Sequence, residues 1–350
     1  MRRLTALCLV LGLLAGPGAA DALRVATWNA GLDRKGPGIL LRDILRDEDA
    51  QIDAVSRVIA RTAPDILLLQ KVDYDHDLHA LRALRDRLAE DGQRFDHIFA
   101  RRPNSGMPTG LDMDGDGRRG NERDAQGYGA FSGQAGMAIL SAYPLDTAAV
   151  RDFSALLWRD LPGALLPERA DGTPFPSAEA QAIQRLSYTG HWVVPVRLPS
   201  GVLHLLAFHA GPPVFDGPED ANGRRNHDEI RFWQLYLDGA FGPAPEEQFV
   251  VIGDANLDPE GSDGRREAIK RLLDDPRLQD PRPAHDGPGP RHATVDWDQT
   301  GPRRVSYILP SADLDIAGAG VHWPPEGTPA GDLAATANHH RLVWVDLALD

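Results

Sequence analysis

Leu23-Arg-Val-Ala-Thr-Trp-Asn29 and Pro64-Asp-Ile-Leu-Leu-Leu-Gln70 are the stretches whose reading decides the fold: each is a short apolar run that stops at a side-chain amide. Short apolar runs bounded by polar or turn residues read as strands. Outward from these two, the pattern recurs at Gly136 to Leu140, Trp192 to Val196, Leu203 to Phe208, Phe249 to Ile252, Val305 to Leu309 and Leu342 to Leu347. Amphipathic stretches alternate with the runs, and helices are expected over Ala50 to Ala60, Leu78 to Glu90, Asn226 to Leu237 and Asp263 to Leu273. The first of these carries Ile52, Val55, Val58 and Ile59 on one face. Strands mixed with helices point to a layered α/β fold, and most of the strands end next to a polar residue: Asn29, Gln70, His209, Asp254 and Ser306. In such folds ligands sit where strand ends and loops converge.

The chain has 350 residues, 42% of them hydrophobic, enough to bury a sizeable core. With 35 Gly and 28 Pro, many connections should be long and irregular. Neither an internal repeat nor a composition shift marks a boundary, and the Gly/Pro-rich stretch from Pro281 to Pro290 reads as a loop, so a single domain is expected over residues 23–350. Residues 1–20 read as a signal peptide: Arg2 and Arg3 precede an apolar stretch from Leu4 to Leu14, and small residues allow cleavage after Ala20 or Ala22. The single cysteine, Cys8, lies in that apolar stretch, so no disulfide is expected in the mature chain, and a periplasmic or secreted location follows. Beyond the leader no stretch has the apolar length of a membrane span. The formal net charge of −14 disfavours a broad coating of nucleic acid, since phosphate contacts dominate that affinity, but leaves room for a locally basic cleft.

The runs above, joined by Gly136-Met-Ala-Ile-Leu-Ser-Ala-Tyr-Pro144, Phe208-His209, Val251-Ile-Gly-Asp254-Ala-Asn256, Arg304-Val-Ser-Tyr307 and Asn338-His339-His340, resemble in their order the endonuclease/exonuclease/phosphatase superfamily. That is the group of deoxyribonuclease I, apurinic endonucleases, inositol polyphosphate phosphatases and bacterial sphingomyelinases. The match runs from about Leu23 to Leu347, and the segment Pro212 to Glu229 looks closest to secreted bacterial members. The resemblance implies a four-layer α/β sandwich, two packed mixed β-sheets flanked by helices, and hydrolysis of a phosphate ester on a phosphorylated small molecule or polymer. It implies divalent metal, Mg²⁺ or Mn²⁺, polarising the phosphoryl oxygens. Carried over by position, Asp254 orients or deprotonates the attacking water and Asn256 binds a phosphate oxygen. Asn29 is a metal or water ligand, and His209 and His340 flank the scissile phosphate.

Three positions depart from the family pattern. Lys71 stands where a metal-binding Glu is usual, Ser306 where an Asp orients the histidine, and His339 where the Asp of a Ser-Asp-His triplet helps to hold metal. An ammonium offers only donors and repels a divalent ion. At an effective dielectric of about 20, each unit of charge is worth roughly 4 kcal/mol at 4 Å. Lys71 is therefore expected to pin the phosphate in place of the cation in an altered hydrolase. The alternative is a chain that has lost catalysis and binds a phosphorylated or other anionic ligand. A third arrangement uses His339 as ligand to a softer metal such as Zn²⁺.

Asp112-Met-Asp114-Gly-Asp116-Gly117 has the spacing of the first half of a calcium loop, although Arg123 stands where the bidentate Glu belongs. Among four arginine pairs, Arg224-Arg225 is the candidate for substrate binding, because a planar guanidinium grips two phosphate oxygens. Asn226 is a candidate helix cap. The tryptophans are scattered, which favours packing over a base-stacking platform.

Overall fold

The computed structural model describes residues 22–261 and 264–348. The expected leader, with Cys8, lies outside the described residues. The elements are β1 (Ala22–Leu32), α1 (Ile39–Arg46), α2 (Ala50–Thr62), β2 (Ile66–Val72), α3 (His79–Glu90), β3 (His97–Phe99), β4 (Gly136–Ser141), β5 (Arg151–Asp152), α4 (Ala178–Ile183), β6 (Gly190–Leu198), β7 (Gly201–His209), α5 (Ala221–Leu237), β8 (Phe249–Asp254), α6 (Glu267–Leu273), β9 (Val295–Trp297), β10 (Gly301–Arg303), β11 (Ser306–Pro310), β12 (Ile316–Val321), α7 (Pro329–Ala337) and β13 (Val343–Ala348).

Two mixed sheets carry the fold. One has the order β12-β13-β1-β2-β4-β3 and the other β11-β8-β7-β6-β5, with β9 and β10 as a separate ribbon. Each contains one parallel pair, β1 with β2 and β7 with β8. The side-chain period of two then sorts the residues into layers. Along β1 and β2, Leu23, Val25, Ile66 and Leu68 turn inward to meet Val194, Leu205, Val250 and Ile252 of the facing sheet. The alternate residues Ala26, Trp28, Leu67 and Leu69 turn outward and are covered by Val55, Ile59, Leu84 and Leu88 of α2 and α3. On the far side Leu206, Phe208 and Val251 pack under Ile230, Trp233 and Ile269 of α5 and α6. The result is the expected four-layer sandwich, and it explains why Ile66-Leu-Leu-Leu69 lacks alternation: that strand is buried on both faces.

α1, α4 and α7 are absent from the expected helices; α5 begins at Ala221, five residues before the expected cap. Asn226 sits inside that helix with its side chain buried, so it does not cap it.

The inward period also places the polar strand ends. Asn29 and Gln70 continue the series of Val25 and Ile66, while His209 and Asp254 continue that of Leu205 and Val250. Ser306 opens β11 opposite Asp254, because β11 runs antiparallel to β8. All five side chains therefore come to one open edge between the sheets.

Candidate functional site

At that edge lies a cavity of about 1020 Å³, and Asn29, Lys71, His209, Asn256, His339 and His340 all line it. A β-bulge brings Lys71 there. Gln70 pairs with Met137 and Val72 with Gly136, which leaves Lys71 outside the ladder with φ +54°. A bulge re-aims one side chain without disturbing its neighbours. Lys71 is exposed, and its ammonium has no hydrogen-bond or ion-pair partner among the described residues.

Asp254 is fully buried behind the cavity wall. Its Oδ2 accepts from Asn29 Nδ2 at 2.9 Å and its Oδ1 from the Asn256 amide at 2.9 Å. Burial still wins over these donors and over the Lys71 charge, raising its pKa to about 6. His340 Nδ1 stands 3.5 Å from Asp254 Oδ2, without the geometry of a hydrogen bond. The His340 carbonyl accepts from Trp28 Nε1 at 3.0 Å, which ties the terminal triplet to β1, and Asn338 Nδ2 donates to the Asn29 carbonyl at 2.6 Å. His209 sits between Thr189 Oγ1 at 3.3 Å and Asn256 Nδ2 at 3.5 Å, and Asn256, with φ +50°, is anchored to the Ala210 carbonyl. Burial first and then Lys71 lower the pKa of His209 to about 3; the same causes push His340 well below its ordinary value. Both imidazoles are therefore neutral at pH 7.

Several buried polar atoms at the site have no partner: Asn29 Oδ1, His340 Nδ1, Gln70 Oε1 and Ser306 Oγ. Gln70 Nε2 donates inward to Thr27 Oγ1 at 2.7 Å. His339 is exposed, with Nδ1 3.2 Å from the Asp296 carbonyl.

The arginine pair differs from its expected role. Arg224 lies off the cavity wall and donates to the Glu219 and Leu166 carbonyls. Arg225 lines the cavity but is 7% exposed, and its guanidinium is spent on the carbonyls of Gln126, Arg185, Leu186 and Ser187. A guanidinium with its fork occupied by backbone holds loops rather than gripping a phosphate.

Arg225-Asn-His-Asp-Glu229 is instead a buried polar run that staples the loops behind the site, a role not expected from the sequence. Asn226 Nδ2 donates to the carbonyls of Gly211 and Ala255, just beyond His209 and Asp254. Glu229 accepts from the amides of Tyr188 and Gly211, and Asp228 from Trp158 Nε1 and the Leu165 amide. The available signal was a run of five polar residues in a helix that needed a buried face.

Asp112, Asp114 and Asp116 each offer a carboxylate oxygen within 4.8 Å of the others, a set that could hold a metal ion. Backbone amides already use part of it: Gly115 and Gly117 donate to Asp112, and Asp116 to Asp114. No helix of the described residues is long and apolar enough to cross a membrane.

Solved structures show the same fold at low identity. An endonuclease/exonuclease/phosphatase from Beutenbergia cavernae superposes with a TM-score of 0.56 at 18% identity, covering 94% of this chain and 72% of that one. Family proteins from Leptotrichia buccalis and Bacteroides vulgatus give TM-scores of 0.55 and 0.52 at 14% identity, each covering 94% of this chain and 100% of its own. No curated protein matches the chain. Residues 26–335 match the sequence pattern of the Endonuclease/Exonuclease/phosphatase family, so the chain belongs to that family.

Proposed function

We propose that this chain binds and hydrolyses a phosphate ester at the strand-end cavity, with the Lys71 ammonium in the place of the family's cation. The supporting observation is one cavity wall that presents an unpaired ammonium beside two neutral imidazoles, with a buried carboxylate behind them. The donor set does not fit a hard divalent ion, which takes roughly six oxygen ligands, carboxylates foremost. Among the described residues, Asp254 is the one carboxylate hydrogen-bonded to Asn29, and both its oxygens already accept N–H bonds. Among the described residues, the one set of three ligand atoms close enough to share an ion is Asp112, Asp114 and Asp116, so His339 and His340 complete no such set. Lys71 adds repulsion of roughly 4 kcal/mol per unit charge at 4 Å and a dielectric of about 20.

With the phosphoryl oxygens facing Lys71, water attacks phosphorus as the ester P–O bond breaks. The water proton passes to the neutral His340, where Asp254, 3.5 Å away, steadies the imidazolium. The departing alkoxide takes a proton from solvent in the cavity. A second reading, ligand binding without turnover, is favoured by His340 Nδ1, which lacks an orienting hydrogen bond, and by the unpartnered Ser306 Oγ on the strand beside Asp254. We also propose export through the leader. Cleavage after Ala20 leaves β1 whole, whereas cleavage after Ala22 removes its first residue, which pairs with Ala348. N-terminal sequencing of the exported protein should begin at Asp21.

The test is release of p-nitrophenol from mono- and bis-p-nitrophenyl phosphate with a chelator present, then with Mg²⁺, Mn²⁺, Ca²⁺ and Zn²⁺. Turnover that survives chelation and disappears in Asp254→Ala and Lys71→Met supports the proposal. Turnover only with added metal refutes the role given to Lys71. Phosphate binding without turnover selects the second reading, and neither binding nor turnover refutes both.

A further inference from the structure

Tyr128 and Phe215 are the aromatic members of the few large hydrophobic side chains that the described residues leave exposed, at 56% and 71%. Both line the cavity that contains Lys71. Leaving a ring in water forfeits its burial, so two such rings at one cavity are an observation to be explained. Neither belongs to a loose tip. Phe215 has φ +74°, a conformation that bulky side chains rarely adopt. Its carbonyl accepts from Arg123 Nη1 at 3.4 Å, and the Val214 carbonyl accepts from Asn222 Nδ2 at 2.8 Å. The Gly129 amide donates to Glu122 O, which links the Tyr128 loop to the segment carrying Arg123. The two rings are thus presented by connected, hydrogen-bonded loops. Of the carboxylates that line the same cavity, Asp216 accepts from the Asn222 amide and Glu219 from the Gly217 amide.

We propose that the cavity takes phosphate esters whose alcohol portion carries an aromatic ring, the phosphate toward Lys71 and the ring against Phe215 and Tyr128. The proposal rests on the phosphate-site reading above and adds the class of leaving group. Exposed ring faces favour a planar partner over a flexible chain, because stacking adds roughly two- to tenfold in affinity per ring pair beyond area burial, and a chain gains area only.

Calorimetric titration of the purified chain with inorganic, methyl, hexyl and phenyl phosphate tests this. Phenyl phosphate should bind at least fivefold tighter than both methyl and hexyl phosphate. Phe215→Ala and Phe215→Ala/Tyr128→Ala, checked for an unchanged melting temperature, should reduce that advantage to twofold or less while inorganic phosphate binds as before. Should the double variant lose stability, the single variant carries the comparison. Equal affinity for phenyl and methyl phosphate, or for phenyl and hexyl phosphate, overturns the ring class and leaves the phosphate site standing. Failure of all four ligands to bind overturns the phosphate site and this inference with it.

Discussion

Replacing Asp254 by Asn should make the protein more stable at pH 8 while removing the group that backs His340. Burial holds this carboxyl at about 6, against an ordinary value of 3.8. Because the folded-state pKa lies above the unfolded one, the folded state binds the proton more tightly. The resulting stabilisation is present below about pH 4 and is lost as pH rises through 6. Full ionisation carries a penalty of roughly 3 kcal/mol at 1.4 kcal/mol per tenfold change in proton affinity. An amide escapes that penalty. Its oxygen can keep the Asn256 amide bond, and its NH₂ meets Asn29 once the latter's amide turns over, since Asn29 Oδ1 now has no donor. Allowing for imperfect geometry, the variant should gain about 2 kcal/mol at pH 8 and nothing at pH 4. Urea unfolding at both pH values measures this. A variant no more stable than the parent at pH 8, or one whose advantage is the same at both, would refute the electrostatic account of Asp254.

Three further outcomes follow from the same geometry. Lys71→Glu should bind Mn²⁺ at least tenfold tighter than the parent in calorimetric titration, because a repelling charge becomes a ligand; unchanged affinity would show that Lys71 does not keep cations out. Asn226→Ala should lower stability by about 2–4 kcal/mol in urea, since two buried carbonyls, Gly211 and Ala255, lose their donor, and a loss under 0.5 kcal/mol would contradict the stapling role. His209 and His191, lowered mainly by burial to about 3 and about 4, should stay neutral in NMR titration down to pH 5. Their folded pKa values lie below the unfolded ones, so the stability they contribute is present above pH 6.5 and is lost as pH falls toward 4; a midpoint near 6.5 for either imidazole would contradict their burial.

The strands were legible because layered burial writes continuous apolar runs, and all eight expected runs lie within strands or, for Val305 and Leu342, one residue before one. Their polar ends were legible for the same reason: the inward side-chain series simply continues into Asn29, His209 and Asp254. α1 escaped notice because it is one short stretch behind Gly36-Pro-Gly38, and α7 because Pro329-Ala-Gly-Asp-Leu-Ala-Ala-Thr-Ala337 has small residues in place of an apolar stripe. Arg225 and Asn226 were misread on local chemistry. A guanidinium and an Asn at a supposed helix start suggest phosphate and cap, but where the partners are carbonyls distant in sequence only the folded chain reveals them. The bulge at Lys71 was likewise hidden, being a property of strand register.

That bulge separates what the sheet requires from what the cavity presents. Positions 70 and 72 must satisfy buried neighbours on both sides, whereas the side chain at position 71 has left the ladder and faces the cavity, where Asp254, His209 and His340 feel its charge. The apolar packing of the layers beneath is indifferent to the sign of the charge carried there, whereas the protonation of Asp254 and of the two histidines is not. This scaffold can therefore exchange an anion for a cation on the cavity wall in one codon, and evolution can retune the charge offered there while the strand register stays untouched.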